Sequence, residues 1–432
     1  MADLSTNFAG IRSPNPFWIA SGPPSNTAYQ AHRAFDAGWG GVVWKTIGTP
    51  IVNVSSRYSG LDLGAQRMVG FNNIELITDR SPEANFREIA EVKKRWPNHA
   101  VIASLMVETP EEWRDFVRRS EDAGADGIEL NYGCPHGMCE RGMGSAVGQQ
   151  PAILEKITGW VMECARIPVI VKLTPNITEV TMAARAAKRA GANAISLINT
   201  INSITNVNLD TFASEPRVGI ESSHGGYCGP AVKPIALNMV AEIARDAQTA
   251  GLPISGIGGV GTWRDALDYL ALGAGNVQVC TAAMVYGFKI VQDMADGLSN
   301  YMDEKGIAAV SDIVGRALPT VSQWQFLNLN HISKAVIDQD SCIQCGRCHI
   351  ACEDTSHQAI TATKDGKRHF EVMEDECVGC NLCVVACPVP QCITLRTLAP
   401  GEMDQRTGKP ASATHGDWTR HPNNPMRITE AA

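Results

Sequence analysis

The sequence lacks an excess of positive charge. Its 37 lysine and arginine residues are outnumbered by 45 aspartate and glutamate residues, and the formal net charge is −8. A protein that binds nucleic acid or an anionic membrane surface through its overall charge would instead be basic. We therefore expect neither nucleic acid nor a membrane among the partners of this protein.

Long hydrophobic runs are also missing. The first residues, Met1 to Asn7, contain neither a basic stretch nor an apolar core, and no apolar run approaches the length of a membrane-spanning helix. We therefore expect a cytoplasmic protein. Because thiols stay reduced in that compartment, disulfides do not explain the 14 cysteines. Metal binding and catalysis become the favoured roles of the cysteines.

Short apolar segments alternate with amphipathic stretches through the first two thirds of the chain. The eight apolar segments are residues 17–20, 41–45, 101–106, 127–131, 169–173, 194–199, 254–258 and 277–280. The helical stretches between them include residues 110–123, 153–165, 180–190 and 263–272. Continuous apolar strands flanked by amphipathic helices are typical of a parallel sheet buried on both faces. This rhythm predicts the α/β class and a (β/α)8 TIM barrel, with a doubly wound open sheet as the alternative.

Four regions follow from the changes in composition. We predict the barrel over residues 1–310 and a connector over residues 311–334, which has no strand alternation and contains Pro319. A cysteine-dense α+β domain is predicted over residues 335–399. The remaining residues, 400–432, are rich in proline, glycine and threonine and are predicted to form a tail on the surface.

Two runs of cysteines in the C-terminal region share the spacing C-x2-C-x2-C-x3-C. The first run is Cys342, Cys345, Cys348 and Cys352, and the second is Cys377, Cys380, Cys383 and Cys387. This is the spacing of ferredoxins that carry two [4Fe–4S] clusters, in which the fourth cysteine of each run binds the other cluster. We therefore assign Cys342, Cys345, Cys348 and Cys387 to one cluster, and Cys377, Cys380, Cys383 and Cys352 to the other. A pair of zinc sites is the alternative, but zinc sites use paired C-x2-C units with wider gaps.

The residues that follow each cysteine run are also similar. Residues 357–361 resemble residues 391–394, which predicts a ferredoxin-like domain with pseudo-twofold symmetry. In this alignment Cys392 occupies the place of Ala359. We therefore interpret Cys392 as a small packed residue and not as a ninth ligand.

Polar side chains stand where the predicted barrel strands end, and the chemistry of such barrels gathers at those ends. They include Ser21, Lys45, Thr46, Asn131, Lys172, Asn199 and Thr200. A lysine in the mouth of a barrel is costly to bury unless it meets an anion or a polar ligand. Lys172 and Lys45 are therefore candidates to stabilise negative charge on a bound ligand.

A glycine-rich motif, G-x-G-x-x-G, spans Gly256 to Gly261. A dinucleotide site would need an acidic residue about 20 positions later, whereas the sequence there is Cys280, Thr281 and Ala282. The motif is better explained as a barrel phosphate site, in which backbone N–H groups after the last two strands hold one phosphate. A mononucleotide such as FMN needs only that.

The fourth strand runs into a glycine-rich loop, residues 131–144. Such a loop can close over a substrate, and Cys134 on it could deliver a proton as a general acid. We predict Cys134 to be catalytic. Cys139 and His136 on the same loop have no partner identifiable from the sequence, and we assign them no catalytic role.

Taken together, these motifs resemble the dihydropyrimidine dehydrogenase family. The most specific motifs are residues 73–77 (NIELI), 134–138 (CPHGM), 140–144 (ERGMG), 172–176 (KLTPN) and the double cysteine run. The resemblance extends from about Pro14 to Leu398, with the barrel before the ferredoxin module as in the family. In the longer animal members a serine precedes the catalytic cysteine, where this chain has Gly133, which leaves the pyrimidine preference open.

The resemblance implies the roles of the site residues. The implied substrate-binding residues are Asn73, Glu75, Asn131, Asn199 and Thr200, and the implied catalytic residues are Cys134 and Lys172. The implied FMN-binding residues are Ala20, Ser21, Lys45, Thr46, Asn73, Asn131, Lys172, Asn199, Gly226, Gly258, Gly259, Thr281 and Ala282. Carboxamides suit this task because uracil presents carbonyl and N–H groups that they can match in pairs.

The reaction implied by the resemblance is reduction of the 5,6 double bond of uracil or thymine, with hydride from reduced FMN and a proton from Cys134. Electrons from NADH would arrive through a partner subunit that binds FAD and NAD and has clusters of its own. We expect a homodimer of this chain within a hetero-oligomer. The alternatives are a dihydroorotate dehydrogenase and a non-catalytic electron-transfer subunit.

Overall fold

Two units make up the chain in the computed structural model, which describes residues 2–64, 66–328, 330–365 and 367–411. They are Met1–Thr320 and Val321–Ala432, so the division lies inside the predicted connector, residues 311–334. Among the described residues, no helix combines the length and the apolar character needed to cross a membrane.

Eight parallel strands in the first unit close into a barrel. They are β1 (Phe17–Ile19), β2 (Gly41–Val43), β3 (Ala100–Leu105), β4 (Gly127–Asn131), β5 (Val169–Lys172), β6 (Ala194–Leu197), β7 (Ile254–Ile257) and β8 (Ala274–Val279). Each strand pairs with the next along the chain, and β8 pairs with β1. All residues of β3 and β4 are buried, as expected for strands covered by helices. The predicted (β/α)8 barrel is confirmed.

One helix follows each barrel strand. The helices are α1 (Ala28–Ala37), α2 (Pro82–Arg95), α3 (Pro110–Asp122), α4 (Pro151–Met162), α5 (Val180–Arg189), α6 (Lys233–Arg245), α7 (Trp263–Ala271) and α8 (Ile290–Lys305). Local sequence fixes where several of them begin. Thr109 and Glu112 form a capping box at the start of α3, and Thr262 and Asp265 form another at the start of α7.

Shorter elements connect these parts. Two additional short α-helices are Ser145–Gly148 and Thr281–Tyr286. The 3-10 turns are Pro23–Ser25, Cys139–Arg141, Pro230–Val232, Val310–Asp312, Leu318–Thr320 and Trp324–Phe326.

An N-terminal hairpin packs against the first residues of the barrel strands. Its strands are Thr6–Phe8 and Ile11–Ser13. The rings of Phe8 and Trp18 meet edge to face with centroids 5.7 Å apart. A β-carbon added to Gly127 would lie 2.8 Å from Ile11, so the hairpin packs tightly at this end. The cavity described below opens at the opposite end.

A four-stranded antiparallel sheet that was not predicted from the sequence lies beside the C-terminal ends of the barrel strands. Its strands, in spatial order, are Ile201–Ser203, Gly225–Cys228, Gln66–Asn73 and Tyr58–Leu63. They come from the long segments after β2 and β6. Two small hairpins in the second segment pair Asn206–Val207 with Ser214–Glu215 and Arg217–Val218 with Glu221–Ser222.

The second unit has the ferredoxin-type α+β architecture that the sequence predicts. Ser333–Ile337 pairs antiparallel with Ile393–Thr397, Ile360–Asp365 with Lys367–Val372, and Met403–Asp404 with Lys409–Pro410. The helices are Arg347–Thr355 and Leu382–Ala386, and each begins inside one cysteine run. Of the predicted tail, residues 412–432 lie outside the described residues.

Candidate active site and cluster sites

A cavity of about 190 Å³ opens at the C-terminal ends of the barrel strands. Most of the residues predicted to bind flavin or substrate line it. These are Ala20, Ser21, Lys45, Thr46, Asn73, Glu75, Asn131, Cys134, Lys172, Asn199, Thr200, Gly258, Gly259, Thr281 and Ala282. Gly226 is the exception. It lies in the sheet behind Asn73, whose Nδ2 donates to the Gly226 carbonyl oxygen at 3.0 Å.

A chain of hydrogen bonds holds the carboxamides in place. Asn199 Nδ2 donates to Asn131 Oδ1 at 3.0 Å, and Asn131 Nδ2 donates to Thr46 Oγ1 at 2.9 Å. The backbone N–H of Thr200 donates to Asn199 Oδ1 at 2.8 Å. Because each side chain is fixed by its neighbour, the polar groups of the pocket are arranged before any ligand binds.

Two cations and one hydroxyl group surround the Glu75 carboxylate at one side of the cavity. Lys45 Nζ contacts Oε1, Arg57 Nε lies 2.6 Å from Oε2, and the Tyr58 hydroxyl donates to Oε2 at 2.7 Å. Partial burial and the adjacent carboxylate raise the pKa of Tyr58, so its hydroxyl remains a neutral donor. The sequence does not point to Arg57 and Tyr58 because they lie at the start of an unpredicted strand, Tyr58–Leu63.

A second carboxylate, Glu129, lies inside the barrel and pairs with Lys172. Glu129 is fully buried, and its Oε1 is 3.4 Å from Lys172 Nζ. Ser196 Oγ and Gln278 Nε2 donate to its other oxygen at 2.8 and 3.1 Å. The sequence does carry a signal for Glu129, since an acidic residue stands inside an otherwise apolar stretch of β4. Such a residue must have a partner when buried.

The cavity has features that fit FMN. Gln278 lines it, and the buried Gln278 Oε1 has no hydrogen-bond partner among the described residues, so a donor on a ligand would satisfy it. Gly259 has φ +69°, and a β-carbon there would lie 2.8 Å from Lys233. Only glycine fits this turn. The Thr281 and Ala282 N–H groups open a short helix and are not used inside it. The Gly261 N–H already donates to Asp265 Oδ2 at 3.1 Å and is therefore not available to a phosphate.

Cys134 lies on a folded loop and lines the cavity. Its Sγ donates to the His136 carbonyl oxygen at 3.4 Å, and Cys139 Sγ donates to the Cys134 carbonyl oxygen at 3.3 Å. Gly144 has φ +59°, and a β-carbon there would lie 2.6 Å from the Cys134 carbonyl oxygen. His136, to which we assigned no role, also lines the cavity, and its Nε2 lies 3.0 Å from the Glu75 carbonyl oxygen.

Two further thiols, Cys228 and Cys280, line the cavity. Burial raises the pKa of Cys228 to about 11 and that of Cys280 to about 12. The Thr281 hydroxyl donates to Cys228 Sγ at 3.2 Å. Both thiols are therefore neutral near pH 7. No motif in the sequence pointed to Cys228.

The eight ligand cysteines surround two separate pockets in the second unit. One pocket is lined by Cys342, Cys345, Cys348 and Cys387, and the other by Cys352, Cys377, Cys380 and Cys383. Each pocket therefore brings together the four cysteines predicted to share a cluster. Cys392 lines the first pocket as well, and its Sγ donates to the Asp338 carbonyl oxygen at 3.6 Å.

The surroundings of these sulfurs fit iron–sulfur clusters. Backbone N–H groups of Ala335 and Ala359 donate to Cys377 Sγ at 3.5 Å and Cys352 Sγ at 3.3 Å. Burial, with a further contribution from neighbouring cysteines, raises the pKa of Cys383 to about 11. The positive charge of a bound metal would offset the cost of ionising Cys383.

Family comparisons agree with this geometry. Residues 3–302 match the dihydroorotate dehydrogenase family, and residues 335–395 match the 4Fe-4S dicluster domain. The first family binds FMN and the second domain carries two [4Fe–4S] clusters, so both cofactor predictions are confirmed.

Curated relatives include proteins of both predicted types. The chain is 42% identical over 359 residues to the NAD-dependent dihydropyrimidine dehydrogenase subunit PreA of Escherichia coli K12, covering 83% of this chain and 87% of that one. It is 40% identical over 328 residues to the chloroplastic dihydropyrimidine dehydrogenase (NADP(+)) of Arabidopsis thaliana, covering 73% and 77%. It is 36% identical over 315 residues to the catalytic subunit of dihydroorotate dehydrogenase B (NAD(+)) of Pyrococcus abyssi, covering 73% and 99%.

The barrel match and the dicluster match together span most of the chain, with the barrel before the dicluster domain. The alignment with the E. coli relative, at 359 residues, is longer than the barrel match alone. The chain therefore belongs to the dihydropyrimidine dehydrogenase family, within the wider dihydroorotate dehydrogenase family, and is an FMN- and iron–sulfur-containing oxidoreductase.

Proposed function

We propose that this chain reduces the 5,6 double bond of uracil or thymine to the 5,6-dihydropyrimidine, as the FMN and iron–sulfur subunit of an NAD-dependent dihydropyrimidine dehydrogenase. The observation that supports this substrate best is the charge balance of the cavity. Both lysines that line it are paired with a carboxylate, Lys45 with Glu75 and Lys172 with Glu129, and Arg57, which also contacts Glu75, is not among the lining residues.

This balance favours a neutral substrate over an anionic one. Orotate and dihydroorotate carry a carboxylate that would need a cation of its own when taken out of water. Uracil and thymine carry no charge and present carbonyl and N–H groups instead. The carboxamides of Asn73, Asn131 and Asn199 supply both donors and acceptors for these groups.

The protein residues divide the work of the reaction. When bound, FMN supplies the hydride that adds to C6 of the pyrimidine. The three asparagines orient the ring, and Lys172 stabilises negative charge near the flavin edge. Cys134 holds the proton that adds to C5, so that hydride and proton together saturate the double bond. Gly258, Gly259, Thr281 and Ala282 would hold the phosphate, and the eight cysteines the two clusters.

Electron supply needs a second protein. The glycine-rich motif after β7 is followed by Cys280 and not by the acidic residue of a dinucleotide site. We propose that NADH is oxidised on a partner subunit that binds FAD and NAD, and that a homodimer of this chain forms the core of the hetero-oligomer. The name of the E. coli relative describes that protein as a subunit.

An anaerobic assay tests the proposal. FMN- and cluster-loaded protein, reduced chemically, should convert uracil and thymine to their dihydro products. Cys134→Ala should keep FMN and both clusters but lose turnover by roughly 100-fold or more, the usual contribution of a general acid. Cys164→Ala, at a thiol outside the cavity, is the matched control and should turn over normally.

The alternatives predict different outcomes. Turnover of dihydroorotate without turnover of uracil would establish a dihydroorotate dehydrogenase. A protein that carries clusters and fails to bind FMN after anaerobic reconstitution would be an electron-transfer subunit. Normal uracil turnover by Cys134→Ala would remove the general-acid role while leaving the substrate assignment intact.

A further inference from the structure

A buried lysine lies beside one of the two cluster pockets. Lys334 is 1% exposed and stands on the strand Ser333–Ile337. Its ammonium group donates to the carbonyl oxygens of Glu374 at 2.8 Å and Cys377 at 2.7 Å, and lies 2.6 Å from Asp404 Oδ1. Three acceptors thus use the three N–H groups of the ammonium, which is held in a single position.

Asp404 is also buried and fully engaged. It comes from the hairpin Met403–Asp404 with Lys409–Pro410, and the Thr407 hydroxyl donates to its other oxygen at 2.7 Å. The hydrogen bond from Lys334 lowers the pKa of Asp404 to about 2. At neutral pH the site therefore holds one positive and one negative charge, and the positive charge contacts the backbone of a cluster ligand.

The contact with Cys377 connects this ion pair to a specific cluster. Cys377 lines the pocket that also contains Cys352, Cys380 and Cys383, and the backbone N–H next to Lys334 donates to Cys377 Sγ at 3.5 Å. Among the described residues, no lysine, arginine, aspartate or glutamate lines either pocket. Beside the other pocket stands Arg368, an exposed side chain whose Nη1 lies 3.7 Å from a β-carbon built on Gly346. The Cys377 pocket is therefore set apart by a charge pair that is buried and fully hydrogen-bonded, although the ligand spacings of the two sites are the same.

Charge near a cluster changes its reduction potential. Reduction adds an electron, so a nearby positive charge stabilises the reduced form and raises the potential, and a negative charge lowers it. The effect is large only where the charge is fixed and removed from water. Lys334 satisfies both conditions, and Asp404 offsets part of its charge.

We propose that Lys334 and Asp404 are positioning residues that set the reduction potential of the cluster bound by Cys352, Cys377, Cys380 and Cys383, and so separate it from the potential of the other cluster. The inference rests on the cluster assignment and not on the pyrimidine substrate. The inference about the cluster potential can therefore be wrong while the proposed reaction is correct. The proposed reaction can equally be wrong while the inference is correct.

The test is a redox titration of the full, cluster-loaded chain, followed by electron paramagnetic resonance so that both clusters are observed. Asp404→Asn removes the offsetting charge and should raise the potential of one cluster. Lys334→Met removes the positive charge and should lower it. The second cluster, bound by Cys342, Cys345, Cys348 and Cys387, serves as an internal control and should not shift.

Two further variants separate charge from structure. Lys334→Arg keeps the positive charge and should keep the potential near that of the unmodified protein. Lys409→Met removes an exposed lysine from the same hairpin and should change neither cluster. If Lys334→Met does not assemble its cluster, Asp404→Asn still decides the matter. A potential that is unchanged or lowered in Asp404→Asn, or equal shifts of both clusters, would overturn the proposal.

Discussion

Gly133 precedes Cys134 in the chain and has no room for a side chain. A β-carbon added there would lie 2.4 Å from Asn199 Cβ and 2.6 Å from Asn199 Nδ2. Carbon atoms normally approach to about 3.5–4.0 Å, so Asn199 would have to move by roughly 1 Å. Gly133 is not among the glycines with positive φ, so the constraint is steric and does not come from the backbone.

The substitution Gly133→Ser turns this constraint into a measurable change. Moving Asn199 breaks its 3.0 Å hydrogen bond to Asn131 Oδ1, which costs about 0.5–1.5 kcal/mol. Overpacking adds about 1–3 kcal/mol. If half of that total, roughly 1–2 kcal/mol, falls on the position of the pyrimidine, kcat/KM drops by about 5-fold to 30-fold.

The assay compares kcat/KM for uracil and thymine, together with Tm, in the FMN-loaded protein. Gly159→Ser is a matched control because a β-carbon at Gly159 meets nothing within 4 Å. Adding Asn199→Ala to Gly133→Ser should recover only part of the lost Tm, since it removes Asn199 Nδ2 and Cγ but keeps Cβ, the atom that lies closest. Unchanged kcat/KM and Tm in Gly133→Ser would refute the reasoning and show that the loop can shift at no cost.

Three other predictions follow from buried groups. Glu129→Gln leaves the positive charge of Lys172 without its carboxylate partner. This should raise the midpoint potential of bound FMN, measured by spectroelectrochemical titration. An unchanged potential would contradict the pairing. Phe8→Ala should lower the free energy of unfolding by about 3–5 kcal/mol, seen as a lower Tm, whereas a Tm within a degree or two would mean that the hairpin contributes little packing. Burial raises the pKa of Cys228 to about 11 and that of Cys280 to about 12. In flavin-free protein, both thiols should therefore resist iodoacetamide at neutral pH and react only as the pH rises toward those values. Labelling at pH 7 at the rate of a model thiol would contradict this.

The barrel could be predicted because its signals are local. Each of the eight strands is a short apolar run, and the helix starts carry caps such as Thr109 with Glu112 that operate over three residues. The grouping of cysteines into two sites was predictable for a similar reason. The spacing within each run, together with the crossing of the fourth cysteine, determines which thiols can reach one cluster.

The antiparallel sheet and the charge pairs of the cavity could not be predicted from local sequence signals. Asn73 pairs with Gly226, a residue more than 150 positions later in the chain, and nothing local in either segment indicates that pairing. Glu75 was found through the family resemblance, but its partners Lys45 and Arg57 come from different segments. Partner choice between distant residues depends on the closed barrel, which brings the ends of all its strands together.

The three buried lysines discussed above follow one physical rule with different results. Lys45, Lys172 and Lys334 are each paired with a carboxylate, because an unpaired ammonium would be too costly to bury. In the cavity both lysines that line it already have a carboxylate partner, which supports the proposal of a neutral pyrimidine substrate. Beside the cluster pocket, the ammonium group of the pair contacts the backbone of the ligand Cys377. There the arrangement of the pair, more than its net charge, determines how readily an electron is accepted.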